Sequence, residues 1–216
     1  CGLVPEELGV SRRVLEEAGS LDEAVEVVRE TRHTIGMNFV IADGDAERCG
    51  TEDFSPGAAA FETNASCCEV FLDDDPKERE AVWTSPAGVD VPYGLPLSQA
   101  VLRADMAFGR CCRRLQACDN GAGAPGNDGD PANARTYVEV HKPMYDMIRA
   151  YATGDEYTYP VRNQRVIDRG APRSIGAAEA LNIAATVAHN VEKLADSDWN
   201  VLSVVYAASD LQFYVA

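Results

Sequence analysis

The chain has 216 residues, 46% of them hydrophobic, which is enough for one ordinary domain with a sizeable core and too few for two comfortable ones. It carries 19 lysines and arginines against 35 aspartates and glutamates, a formal net charge of −16. That field repels phosphate backbones and anionic lipid heads, so nucleic-acid and membrane-surface partners are excluded as first readings, and no apolar run approaches the roughly 20 residues of a membrane helix.

Residues 5–31 predict two helices. Val10, Val14, Leu15 and Ala18 recur at helical spacing, and Gly19 ends the first. Ser20-Leu21-Asp22-Glu23 forms a capping box: the serine oxygen accepts from the Glu23 amide while the glutamate reaches back. Leu21, Ala24, Val25 and Val28 give the second helix its apolar face. Met37 to Asp43 is rich in β-formers and stops at Gly44, which predicts a strand. Further strands are expected over 49–53 and 58–63, and Asp73-Asp74-Asp75-Pro76 ends regular structure. Pro86, Gly88, Pro92, Gly94 and Pro96 predict a loop without an element of its own over 84–97.

Residues 99–115 are expected to be partly helical. Residues 119–134, mostly Gly, Ala, Asn, Asp and Pro, are expected to form a mobile insertion whose acidic residues lack the spacing of a calcium loop. Residues 143–153 predict a helix with proline in its first turn and Gly154 as its stop, and residues 175–195 a long alanine-rich helix. Residues 200–206 and 211–216 predict a closing hairpin around Ala208-Ser209-Asp210. Helices, antiparallel strands, helices and a hairpin, in that order, imply a layered α+β domain spanning 1–216.

The 7 cysteines include two adjacent pairs, Cys67-Cys68 and Cys111-Cys112. Adjacent cysteines bridge each other only with strain, and no Cys-x-x-Cys spacing or histidine cluster points to a metal. Most of the cysteines are read as small buried hydrophobes of a reducing compartment, and no cofactor or metal is expected. Asn64-Ala65-Ser66 matches a glycosylation acceptor of the kind used in secreted proteins. His33, His141 and His189 are scattered, His189 reads as a helix residue rather than a base, and Trp83 and Trp199 read as core anchors.

Three stretches, in order, carry a family resemblance. Leu15 to Val25 followed by Gly36 to Gly44, then Tyr93 to Arg103, then Trp199 to Ala216 resemble the penicillin acyltransferase family of N-terminal-nucleophile hydrolases. The resemblance implies an αββα sandwich and self-cleavage that exposes a cysteine nucleophile, with its own α-amino group as base and donors elsewhere stabilising the oxyanion. It covers most of the chain, thinly over 107–171.

Two departures bear on activity. Cys1 leads through Gly2-Leu3-Val4-Pro5 into a helix, whereas the family's nucleophile opens a buried strand. The family's Arg-Thr-Asn-His word stands here as Arg103-Ala104-Asp105-Met106, which puts a carboxylate where an amide donor is expected. Cys1 keeps three readings: a processed nucleophile, a lipidated cysteine, or an arbitrary boundary. Asp105 has two, a capping or surface carboxylate and a degenerate site residue. The expectation is a non-catalytic acyltransferase-like domain, serving as a structural or interaction subunit whose sheet is completed by another chain or an upstream precursor segment. The alternative is a cysteine-dependent amide hydrolase or acyltransferase subunit acting on a small amide or thioester.

Overall fold

The structure is a computed structural model and describes residues 6–34, 36–44, 51, 57–84, 88–94, 96–97, 101–103, 107–113, 142–187, 204–207 and 212–215. The chain divides into two compact units, residues 1–134 and 135–216. Each mixes helices with small antiparallel sheets, so the protein is α+β.

The first unit opens with α1 (Glu6–Glu17) and α2 (Leu21–Glu30). Ser20 caps α2, its Oγ accepting from Glu23 N at 3.3 Å. Glu23 reaches back to Gly19 N at 2.7 Å, one residue earlier than an ideal capping box. Val10 and Val14 of α1 face the core, whereas Leu15, one step further around the helix, is 85% exposed, against the sequence expectation. Beneath the helices lies a three-stranded antiparallel sheet of β1 (Met37–Asp43), β2 (Gly57–Asn64) and β3 (Cys67–Leu72), in that order. Phe39 and Phe61 stack across β1 and β2 with centroids 5.0 Å apart. Phe39, Phe61 and Val70 sit in register, and with Ala59 they meet Val14, Ala24, Val25 and Val28. Full burial of Phe61 is worth about 1.5–3 kcal/mol.

Strand alternation sends Ala60, Glu62, Asn64, Cys67, Glu69 and Phe71 to the opposite face. That face is covered by irregular chain: a 3-10 turn (Pro76–Glu80) and residues 101–103 and 107–113, the last of which end in one helical turn over 110–113; the 3-10 turn leads into the hairpin of β4 (Val82–Thr84) with β5 (Asp90–Pro92). The segment expected to be an ordered loop without an element of its own over 84–97 therefore contributes the hairpin strand β5, and Tyr93 N donates to Ala81 O at 3.0 Å behind it. Of the expected strand over 49–53 only Thr51 is described, in a bend, and the insertion over 119–134 lies outside the described residues.

The second unit contains α3 (Lys142–Thr153), the hairpin β6 (Tyr157–Tyr159) with β7 (Gln164–Ile167), α4 (Ala177–Val187), and the closing hairpin β8 (Val204–Ala207) with β9 (Gln212–Val215). Gly154 stops α3 at φ 76°, its amide donating to Ala150 O at 2.8 Å. Met147, Ala150 and Tyr151 of α3 pack with Ile167 of β7 and Ile183 and Val187 of α4. Among the described residues no helix is long and apolar enough to cross a membrane.

Candidate functional site

The non-helical face of the first sheet carries a buried ionic cluster. Glu62 and Glu69 are directly opposite one another on β2 and β3. Two like charges so placed repel, and they persist only because other groups compensate them. Glu62 accepts from Phe108 N at 2.8 and 2.9 Å and from Gly109 N at 2.7 Å. Glu69 Oε2 accepts from Cys111 N and Cys112 N at 3.1 Å each, the exposed amides of the helical turn. Any side chain at Gly109 would fall on the Glu69 carboxylate, which explains glycine there.

Arg103 supplies the balancing charge. Its side chain is 2% exposed, and its Nε lies 2.9 Å from Glu62 Oε1. That contact is ionic rather than a directed hydrogen bond, since Nε is not aligned on any described acceptor. Nη1 donates to Glu78 Oε1 at 2.8 Å and to Leu102 O at 2.6 Å. The guanidinium lies between the Phe71 and Phe108 rings, 4.4 and 4.3 Å from their centroids, a cation–π sandwich that only a planar cation fills. Burial pushes the Glu62 and Glu78 carboxyls up, and Arg103 pulls both down.

Beside this cluster lie the sulfurs. Cys67 and Cys111 form a disulfide with Cα atoms 6.5 Å apart. It joins one member of each adjacent pair, so neither pair bridges internally. The reading of the cysteines as small buried hydrophobes does not hold for Cys67 and Cys111: the β2–β3 register brings Cys67 under the helical turn that carries Cys111. Cys112 is a buried free thiol whose Sγ is 3.5 Å from Cys67 Sγ and 3.3 Å from Glu62 O. Burial, then Glu62 and Glu69, push its thiol up to about 12. Asn64 Nδ2 donates to Cys67 Sγ and Cys112 Sγ at 3.1 and 3.3 Å, while Asn64 Oδ1 accepts from Ser66 N at 2.8 Å in an Asx turn. The amide of the glycosylation-type triplet is thus turned toward sulfur.

A second concavity of about 650 Å³ lies within the 135–216 unit, between α3, β7 and α4. Several of its polar groups are engaged with each other. Asn182 Nδ2 donates to Tyr151 Oη at 2.9 Å, and Arg173 sits 4.8 Å from the Tyr151 ring and 3.5 Å from Glu179.

Cys1 and Asp105, the two site residues read from sequence, lie outside the described residues, as do His141, His189 and Trp199. His33 is buried with Nε2 3.0 Å from Val28 O, a histidine packed on the end of α2. The neighbour of Asp105, Arg103, proves central, but as a partner of carboxylates. Glu62, Glu69 and Glu78 escaped the sequence reading. The only local signal was two glutamates set among apolar β-formers, symmetrically about Ala65-Ser66. No protein-family model matches the chain, nor does any curated protein or solved structure.

Proposed function

We propose that the chain is a non-catalytic, acyltransferase-like subunit whose sheet is extended by a strand of another protein chain along β1. The observation that carries this reading is the contrast between the two edges of the β1-β2-β3 sheet. At β3, Lys77 Nζ donates to Val70 O at 2.9 Å, a lysine laid over the edge in the way sheets block further pairing. At β1 no described strand lies beyond, and Met37 and Val40 are 43% and 46% exposed. The backbone alternation turns Val40 outward. A Val70 carbonyl directed outward to Lys77 leaves Phe61, its partner, directed toward β1. Phe39 then pairs inward and Val40 turns its N–H and C=O away from β2.

The buried cluster supports the non-catalytic part. Glu62 and Glu78 are enclosed, Glu69 is half-buried and bonded to two amides, and burial raises the free thiol of Cys112 to about 12, so the cluster offers no activated nucleophile near neutral pH. Helices on one face of a sheet are half of the αββα layering that this reading calls for. The partner we infer is a strand with apolar side chains on both faces, because Met37 and Val40 point to opposite faces of β1.

Without that partner the purified chain is expected to self-associate at micromolar concentration. Val40→Pro removes an outward donor without touching the β1–β2 ladder, so it should return the chain to monomer with unchanged far-ultraviolet circular dichroism. Native mass spectrometry showing a wild-type monomer throughout that range, or a Val40→Pro variant that associates like wild type, would overturn the proposal.

A further inference from the structure

At the end of the β2–β3 hairpin nearest the helical turn, three sulfurs and a carboxylate converge. The Sγ atoms of Cys67 and Cys112 and a carboxylate oxygen of Glu69 lie within 4.8 Å of one another. The sulfur of Cys111 is bonded to that of Cys67. Two thiolates on one tetrahedral zinc ion, each about 2.3 Å from it, stand roughly 3.8 Å apart. The separation of Cys67 and Cys112 is 3.5 Å. Glu69 is held in place through Oε2 by two backbone amides. The surroundings are anionic, with Glu62 and Glu69 facing each other across the strands and Arg103 shared between Glu62 and Glu78. The carboxylates of Glu62 and Glu69 attract a cation, and a cation bound between the sulfurs displaces the thiol proton.

We propose that the reduced chain binds one divalent cation of the zinc class through Cys67, Cys112 and Glu69, with Cys111 closing the site, and that the Cys67–Cys111 disulfide and the cation exclude each other. Sulfur ligands select zinc-like ions over magnesium and calcium, which require oxygen. Exclusion follows from shared atoms, because a sulfur committed to the disulfide is not a thiolate ligand. The conversion is a two-electron exchange with a low-molecular-weight disulfide. The thiolates of Cys67 and Cys111 lose two electrons and form their S–S bond. The external S–S bond breaks and leaves as two thiolates, and the cation is released.

The site is separate from the β1 edge, so this inference stands or falls without the proposed function. The test is anaerobic titration of the fully reduced full chain with Co²⁺, then back-titration with Zn²⁺. One equivalent should give a thiolate-to-cobalt charge-transfer band that zinc abolishes. Oxidation by glutathione disulfide should remove the band and return the Cys67–Cys111 bridge in a peptide map. Cys112→Ser should lose the band, and Cys68→Ala, altered on the helix-side face, should keep it. Glu69→Gln keeps an acceptor for the two amides and should weaken binding by at least the roughly 10–100-fold that loss of an outer-shell partner costs. Should Cys112→Ser not fold, Glu69→Gln decides. A reduced chain that takes up no Co²⁺, or binding that Glu69→Gln leaves unchanged, overturns the proposal.

Discussion

Replacing Arg103 by methionine isolates what the ionic cluster does for the fold. Arg103, Glu62 and Glu78 have side chains 2%, 0% and 4% exposed, so the substitution leaves two enclosed carboxylates without their cation. Breaking a buried pair from one side costs about 3–5 kcal/mol, because the remaining charge is neither hydrated nor paired. Methionine fills much of the space between Phe71 and Phe108, which keeps the cavity term small. For a chain of this length that loss corresponds to roughly 6–20 °C in Tm. Urea unfolding followed by circular dichroism would measure it.

Two companions separate charge from shape. Arg103→Lys keeps the cation but loses the fork and the stacked plane, and should fall between wild type and methionine. Arg103→Met combined with Glu62→Gln and Glu78→Gln should recover most of the loss, since a buried ion cluster replaced as a whole is often neutral. The pH dependence has a fixed sign. Both carboxyls have folded pKa values above their unfolded ones, so their protonated forms favour the folded state below the unfolded value, and that contribution is lost as pH rises through the folded value. Removing Arg103 raises both further, so the variant's deficit should be smaller at about pH 4 than at pH 7. A loss under about 1 kcal/mol at pH 7, or a deficit that grows on acidification, would refute the assignment of Arg103 as the compensating charge.

Cys112 should resist iodoacetamide near neutral pH in the folded chain and react only as pH approaches about 12, whereas urea-unfolded chain should react from about 9; a mass-mapped pH series reads both. Gly154→Ala meets the backbone first at the Gly170 carbonyl oxygen and then at Pro172 and Ala171, from a φ of 76°. A left-handed alanine costs roughly 1–2 kcal/mol and the crowding roughly 1–3 more, which thermal unfolding would show as a lowered midpoint.

Local signals were legible wherever the sequence itself supplies the partner. The bounds of β1, the Ser20 cap, α3 with its Gly154 stop and the closing hairpin all follow from propensity, a cap or a breaker within a few residues. Strand β3 was hidden, because burial along Cys67 to Leu72 does not alternate, with Val70 and Phe71 both buried on opposite faces, and the pattern of a half-exposed strand is lost. Its turn, Asn64-Ala65-Ser66-Cys67, is built by an asparagine side chain rather than by glycine. Hairpin β6–β7 turns through Asn163 at φ 48°, again without glycine. The cluster was hidden for a different reason. Glu62, Glu78, Arg103 and the 108–112 amides are brought together by chain crossing over the sheet, and spacing along the sequence carries no trace of that.

The disulfide and the cation can be weighed against each other. Cys67 and Cys111 are 44 residues apart, and closing a loop of that size removes about 4 kcal/mol of unfolded-chain entropy. Reduction alone should therefore cost the first unit up to that amount, because the bridge pins the helical turn over Glu69 and nothing else covalent does so among the described residues. A cation present at about 1,000 times its dissociation constant restores about 4.1 kcal/mol. The two forms can thus be nearly equal in stability while differing in what holds β3 to the 109–112 segment, a disulfide in one and a metal in the other. Reduced chain with zinc should melt close to the oxidised chain, and reduced chain with a chelator should melt clearly lower. If chelator leaves the reduced midpoint unmoved, the cation contributes nothing to the fold and the equivalence fails.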